Sequence, residues 1–322
     1  MNYYQYIYLS LILVISYEIY RFTAKKLQIF DKPVKRSSHQ ELTITGSGII
    51  FVFSILLWFF SKGFKPLPIL ISFLFLSLIS FLDDLVKIDK KYRFIFHMFS
   101  SYVLVFSLSS DLALITSLFL IITIISWLNA FNFMDGINGM TCIYSILSLI
   151  TFYYINVNIG FIDREILIFA LIPIVILCFY NFRIRAMMFC GDAGSITIAY
   201  VLFYIMYVLI LDQNEIGYIL MFSVYGIETF VTIVERLIKK EKITTPHRSH
   251  LYQILSNELK YSHRKVSLIY SFTQLIINMG IVWYINKYHK FSYFGLFSIL
   301  ATFVLIYIII KIKIKNKKLR LG

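Results

Sequence analysis

A handful of acidic side chains stand out in a chain that otherwise makes little use of charge. Asp83 and Asp84 lie in FLDDLVKIDKKYR, Asp135 in NAFNFMDGING, Asp192 in FCGDAGS, and Glu228 inside an apolar run. Carboxylates at membrane depth are costly and face a protein interior or a watery cavity. Gathered together they repel one another unless a cation holds them. Mg2+ does this well, taking one or two carboxylates together with phosphate oxygens and water. Gly136, Gly139, Gly191 and Gly194 beside these acids permit tight turns and close backbone approach to a ligand. Such a cleft is a phosphoryl-transfer site in outline, because that chemistry rests on positioning and charge neutralisation. The stretch TPHRSHLYQ adds His247 and His250 with Arg248 between them. Thr245 as cap and Pro246 at the first helical position predict a helix that sets the two imidazoles three apart on one face. This favours phosphate contact over zinc, since no further Cys or His lies close by to complete a tetrahedral set. Each fragment also has an ordinary reading: a solvated cap for the Asp pair, a Gly/Asn turn for DGING, a helix start with Asp192 or Ser195 near the N-cap for GDAGS. Their joint placement is what favours chemistry.

The elements that must position these residues are membrane helices. The chain is 59% hydrophobic and only 15% charged over 322 residues, whereas a globular domain is roughly 45–50% apolar and roughly 25% charged. Apolar runs able to cross a hydrocarbon core of about 30 Å recur at 3–21, 44–62, 67–81, 94–110, 112–130, 139–156, 165–182, 195–211, 216–235, 266–284 and 292–313. The expected fold is an all-α, polytopic integral membrane protein of about 10–11 transmembrane helices, a single transmembrane domain over 1–322 without internal repeats. The first run follows MNYYQYIY, which has no basic residue, and no small-residue cleavage site follows it, so it reads as an anchor and not a removed signal.

Charge sets the orientation. With the N-terminus outside, 26 of the 31 basic residues fall in inside loops, leaving Lys62, Lys65, Arg164, Lys287 and Lys290 outside. That bias predicts a cytoplasmic C-terminus and places every informative acid near the cytoplasmic face, the inner membrane being the expected location. The formal net charge of +14 is spread over all the inside loops, as topology demands, so it speaks for anionic lipid head groups and phosphorylated substrates and not for nucleic acid. Cys142, Cys178 and Cys190 have no paired spacing and define no disulfide or zinc framework.

DKPVKRSSHQ, DDLVK, NAFNFMDGING, FCGDAGS and HRSHLYQ, in that order and on one face, resemble the polyprenyl-phosphate N-acetylhexosamine-1-phosphate transferases, glycosyltransferase family 4. This group includes the phospho-MurNAc-pentapeptide transferases and the enzymes that initiate O-antigen and teichoic acid assembly; the HRSHLYQ form is more similar to the O-antigen and capsule initiators. The resemblance implies a Mg2+-dependent reaction, with Mn2+ an alternative. In it, polyprenyl (undecaprenyl) phosphate attacks the sugar-linked phosphorus of a UDP-N-acetylhexosamine, giving polyprenyl-diphosphate sugar and UMP for a cell-envelope polysaccharide. It implies a catalytic base or positioning group at Asp83, with its neighbour Asp84 near the metal, a metal ligand at Asp192, and active-site polar groups at Asn132 and Asp135. It further implies a phosphate-side cation at Lys87, nucleotide contacts from Gly136 to Asn138, a uracil-stacking aromatic at Phe189, and diphosphate or sugar contacts at His247, Arg248 and His250. A homodimer is compatible with it.

Departures from the family pattern concern the sugar pocket more than the phosphate chemistry. ELTITGSG replaces a Pro- and Arg-containing stretch, so that Thr45 stands for an expected Arg; Asn138 and Glu228 stand where Asp is common; and NFRIRAMM lacks prolines. A transporter or flippase would place its acids near the bilayer midplane with repeat symmetry. A prenyl synthase would want a third Asp where the chain has Lys87. Neither pattern is present.

Overall fold

The computed structural model describes residues 3–33, 37–242, 245 and 247–321; Lys35, Arg36 and Pro246, on which some expectations above rest, lie outside them. The elements in order are α1 (Tyr3–Lys26), β1 (Phe30–Asp31), β2 (Thr43–Ile44), α2 (Ile49–Ser61), α3 (Leu67–Val86), α4 (Lys90–Leu108), α5 (Leu114–Met134), α6 (Met140–Ile159), α7 (Arg164–Asn181) and α8 (Gly191–Gln213). A 3-10 segment (Ile216–Phe222) then runs into α9 (Ser223–Ile238), followed by the short α10 (Leu251–Gln253) with a π turn (Ile254–Glu258), α11 (His263–Tyr288) and α12 (Tyr293–Leu321). Every apolar run in the sequence corresponds to one of these helices. Among the described residues, nine helical stretches are long and apolar enough to cross a membrane, and the chain is a multi-pass membrane protein. The boundaries matter for the site: α3 runs past the apolar run and carries Asp83 and Asp84 in its last turn, while α8 begins early enough to carry Asp192 in its first.

Helix α8 is the hub, with 78% of its apolar window buried, whereas none of the window of α12 is buried. Around α8 pack α3, α5, α2 and α6. The closest approach is made by glycine: a Cβ on Gly48, just before α2, would lie 2.1 Å from the Gly194 Cα of α8. Between α1 and α2 the chain makes a two-stranded antiparallel ribbon, Phe30 opposite Ile44 and Asp31 opposite Thr43. Ile44 also bridges Met188 in parallel. This ribbon threads the segment 43–48 beside 188–190, where Phe189 N–H donates to the Ile44 carbonyl (2.7 Å) and Gly48 N–H to the Cys190 carbonyl (3.0 Å).

Without water to satisfy them, interrupted backbone groups inside a bilayer need side-chain partners. Pro173 lies within α7 and has no N–H; the freed Phe169 carbonyl four residues earlier accepts from the Ser54 hydroxyl at 2.6 Å. At the junction between the 3-10 segment and α9, Gln274 of α11 accepts from Val224 N–H (2.9 Å) and donates to the Leu220 carbonyl (3.1 Å). At the end opposite the acids, Lys62 lies 2.9 Å from both Asp163 and Glu165.

Candidate active site

The site starts from one tight turn. Three residues, Lys87 to Asp89, join α3 to α4, and Lys87 takes left-handed backbone angles (φ 51°) with its N–H on the Asp83 carbonyl. Asp83 Oδ1 accepts Ile88 N–H at 2.7 Å, and Asp89 caps α4 by accepting Lys91 N–H at 2.9 Å. So sharp a reversal brings Arg93, in the first turns of α4, back against the end of α3. Its guanidinium lies 2.6 Å from Asp83 Oδ2 and, through its other terminal nitrogen, 2.8 Å from Asp192 Oδ2.

Asp84 points the other way, into the first turn of α8. Its two oxygens accept Asp192 N–H and Ala193 N–H, each at 2.9 Å. Those amides are unpaired donors at the positive end of the helix, a favourable place for an anion. Only glycine allows the approach: Gly191 has φ +73°, and a Cβ there would lie 2.4 Å from Asp84 Oδ2. Asp192 is at once a site carboxylate and a member of this capped turn. Its Oδ1 accepts from the Asn132 amide of α5 at 2.8 Å, and the same amide donates to Ser195 Oγ at 2.9 Å.

Asp135 follows α5 and accepts from the Thr141 hydroxyl at 2.6 Å. Burial pushes its pKa up to about 7, the Thr141 bond opposes this, and the field of Asp192 adds to the rise. The turn behind it is fixed by Asn181, whose Oδ1 accepts Gly139 N–H (2.6 Å) while its amide donates to the Met188 carbonyl (3.0 Å). Asn138, expected at the nucleotide, instead uses its amide to donate to the Arg183 carbonyl at 2.8 Å, and it is buried. It anchors the loop. Gly136 lies against Tyr252: a Cβ there would sit 2.2 Å from the Tyr252 hydroxyl, which donates to the Phe133 carbonyl at 2.8 Å.

That tyrosine docks the histidine loop onto the α5–α6 turn. The helix expected from Thr245 does not form; α10 begins at Leu251, after both histidines. Arg236, a buried side chain of α9, instead donates to the Thr245 carbonyl (3.1 Å) and hydroxyl (2.9 Å) and to the Lys242 carbonyl (2.6 Å). Glu228, also buried, accepts Leu251 N–H at 2.6 Å and the Tyr270 hydroxyl at 2.7 Å, and lies 3.6 Å from His250 Nδ1. The rings of His247 and His250 are 5.0 Å apart, and His250 faces Phe133 at 6.3 Å. Burial, with His250 and Arg236 nearby, pushes His247 down to about 4, so it meets a ligand as neutral imidazole. Arg248 donates to the Ser37 carbonyl at 2.7 Å. Phe189 is held by its backbone to Ile44 and Ser47, its ring 4.9 Å from that of His39. Lys87 is exposed on the α3–α4 turn.

The structure thus joins Asp83, Asp84, Asn132 and Asp192 directly, with Asp135 in electrostatic reach and His250 linked through Tyr252 and Phe133. Sequence reasoning missed Arg93, counted there only as one more loop charge, and the anchoring work of Asn181 and Arg236. Among the described residues no group of three or more His, Cys, Asp or Glu side chains is disposed to hold a metal. A pair is present: Asp83 Oδ2 and Asp192 Oδ2, gathered on one guanidinium. Two carboxylates fit an ion that completes its shell with phosphate oxygens and water. Asp84, expected beside the metal, has both oxygens on backbone amides.

The site is thus a set of carboxylates at one end of a helical membrane bundle, Asp84 on the α8 amides and Asp83 with Asp192 on Arg93. Residues 66–210, from the start of α3 through most of α8, match the family model described as Glycosyl transferase family 4. Over this segment the chain is similar to that family. It is 22% identical over 293 residues to the "Probable undecaprenyl-phosphate N-acetylglucosaminyl 1-phosphate transferase" of Bacillus subtilis (strain 168), covering 81% of this chain and 80% of the relative. It is 25% identical over 218 residues to the "Phospho-N-acetylmuramoyl-pentapeptide-transferase" of Fervidobacterium nodosum, covering 62% and 68%. With the protein of the same name from Sulfurimonas denitrificans it shares 28% over 249 residues, covering 62% and 69%. The family match includes Asp83, Asp84, Asn132, Asp135 and Asp192 and stops short of the histidine loop.

Proposed function

We propose that the chain transfers an N-acetylhexosamine-1-phosphate from a UDP-sugar to polyprenyl phosphate at the cytoplasmic face of a bacterial inner membrane, the first lipid-linked step of a cell-envelope polysaccharide. The observation that carries this reading is the meeting of Asp83 and Asp192, from helices far apart in sequence, at one end of the bundle, within the segment that matches the family. The basic loops, including those of Arg93, Arg183, Arg236 and Arg248, border the same end, and this supports a cytoplasmic site.

In the proposed reaction an oxygen of polyprenyl phosphate forms a bond to the sugar-linked phosphorus of the UDP-sugar, the bond from that phosphorus to the bridging oxygen breaks, and UMP leaves with the electron pair. Asp83 and Asp192 would hold a divalent ion, Mg2+ or Mn2+, which would supply charge neutralisation at the diphosphate. The acceptor is already anionic near neutral pH, so Asp83 serves alignment and not proton removal. Asn132 fixes the rotamer of Asp192. Asp84 holds the α8 amides in register. The neutral His247, with His250 braced by Glu228, offers N–H donors to diphosphate or sugar oxygens, and Phe189 an aromatic face to the uracil.

The test is UMP release by membranes containing the protein, given undecaprenyl phosphate, Mg2+ and a panel of UDP-N-acetylhexosamines. One sugar of the panel should support turnover, and Asp83→Asn and Asp192→Asn should each abolish it. Near-normal turnover in both variants would sink the assignment.

A further inference from the structure

Arg93 occupies a singular place. Its two terminal nitrogens bind Oδ2 of Asp83 and Oδ2 of Asp192, the same oxygens that the proposed function gives to a divalent ion. The guanidinium is a planar fork suited to two carboxylates at once. It is delivered by a three-residue turn whose own hydrogen bonds, Lys87 N–H to the Asp83 carbonyl and Ile88 N–H to Asp83 Oδ1, fix α4 against α3. One helical turn further along α4, His97 is 2% exposed, and its Nε2 is buried without a hydrogen-bond partner.

Two positive groups cannot share the same pair of oxygens at full strength. We propose that Arg93 is an internal cation that holds Asp83 and Asp192 together, yields them to the divalent ion, and thereby frees its forked N–H donors for the diphosphate of the UDP-sugar. The carboxylates are kept paired at every stage, first by guanidinium and then by metal. Release of the arginine is coupled to metal binding, and guanidinium–phosphate pairing is a strong, charge-assisted contact. This rests on the metal-dependent reading of the site, and it predicts that the arginine opposes metal binding in the free protein while favouring turnover.

The experiment measures Mn2+ binding to the purified full chain in detergent, without substrates, by the paramagnetic resonance signal of free Mn2+. The proteins compared are wild type, Arg93→Gln and Arg93→Lys. Loss of the competing bridge should tighten Mn2+ binding by about tenfold in Arg93→Gln. Arg93→Lys keeps the charge and loses the fork, so tighter binding there too marks a released bridge and not merely a weaker positive field; this variant also answers the question if Arg93→Gln does not fold. UMP formation should fall in both variants despite tighter metal binding, with KM for the UDP-sugar raised. Unchanged or weaker Mn2+ binding in both variants overturns the role of Arg93 alone. Failure of wild type to bind Mn2+, together with UMP formation in the presence of a chelator, overturns the metal reading and this proposal with it.

Discussion

The carboxylate of Asp84 straddles the first turn of α8, one oxygen on the amide of Asp192 and the other on that of Ala193, both at 2.9 Å. This contact locks the end of α3 to the start of α8 and so sets where the neighbouring carboxylates, Asp83 and Asp192, can meet. Asp84→Asn keeps one acceptor but turns an NH2 group toward a backbone N–H, and it removes the charge that the helix end favours. A buried donor left unpaired costs about 1–3 kcal/mol. The expected result is a lower melting temperature in detergent and at least about a tenfold loss of UMP formation. An unchanged melting temperature would show that the cap is dispensable.

Gly48 and Gly194 set how closely the start of α2 meets α8. A methyl group on Gly48 would lie 2.1 Å from a backbone carbon, which cannot swing aside as a side chain can. Overpacking costs about 1–3 kcal/mol, and here the upper end is expected because the neighbour is main chain. Gly48→Ala should lower thermal stability and activity together. Gly226→Ala, where a Cβ meets nothing within 4 Å, serves as the control and should leave both unchanged.

Ser54 and Gln274 satisfy main-chain groups that helix breaks leave open. Ser54→Ala exposes one carbonyl and should cost about 1 kcal/mol; Gln274→Leu strands one N–H and one carbonyl and should cost about 1–3 kcal/mol or more. Thermal unfolding in detergent measures both. Michaelis constants should stay near wild type, since neither side chain touches the site carboxylates.

Asp135 gives the protein a pH dependence whose sign follows from its raised pKa. Between the ordinary carboxylate value of 3.8 and the buried value of about 7, the folded protein binds more protons at this group than the unfolded chain does. Stability contributed here is therefore full below the ordinary value and is lost as pH rises through about 7. Melting temperatures recorded from pH 5 to pH 8 should decline for wild type, and Asp135→Asn should flatten that part of the slope. Equal slopes in the two proteins would count against the buried, protonated state.

The sequence by itself determined the class of the molecule. Composition, the lengths of the apolar runs and the one-sided distribution of Lys and Arg follow from the physics of inserting a chain into a bilayer, and that physics acts on each segment separately. Hence every helix built on an apolar run was legible, and so were the acidic motifs with their glycines, while the short helix of the histidine loop was not. What only the tertiary structure decided is which partner each polar group takes. Asp83 and Asp84 are neighbours in sequence, yet as consecutive residues of one helical turn they point in different directions: Asp83 to Arg93, Asp84 to the amides of α8. Asn138 reads as a ligand contact in its motif and is an anchor in the fold. Thr245 reads as a helix cap and is a ligand of Arg236. Arg93 reads as one loop charge among many and becomes the link between two distant carboxylates. The length of an apolar run is a local property and survives translation into structure. The pairing of buried charges is settled by which helix ends converge, and a single chain, read residue by residue, does not contain that distance.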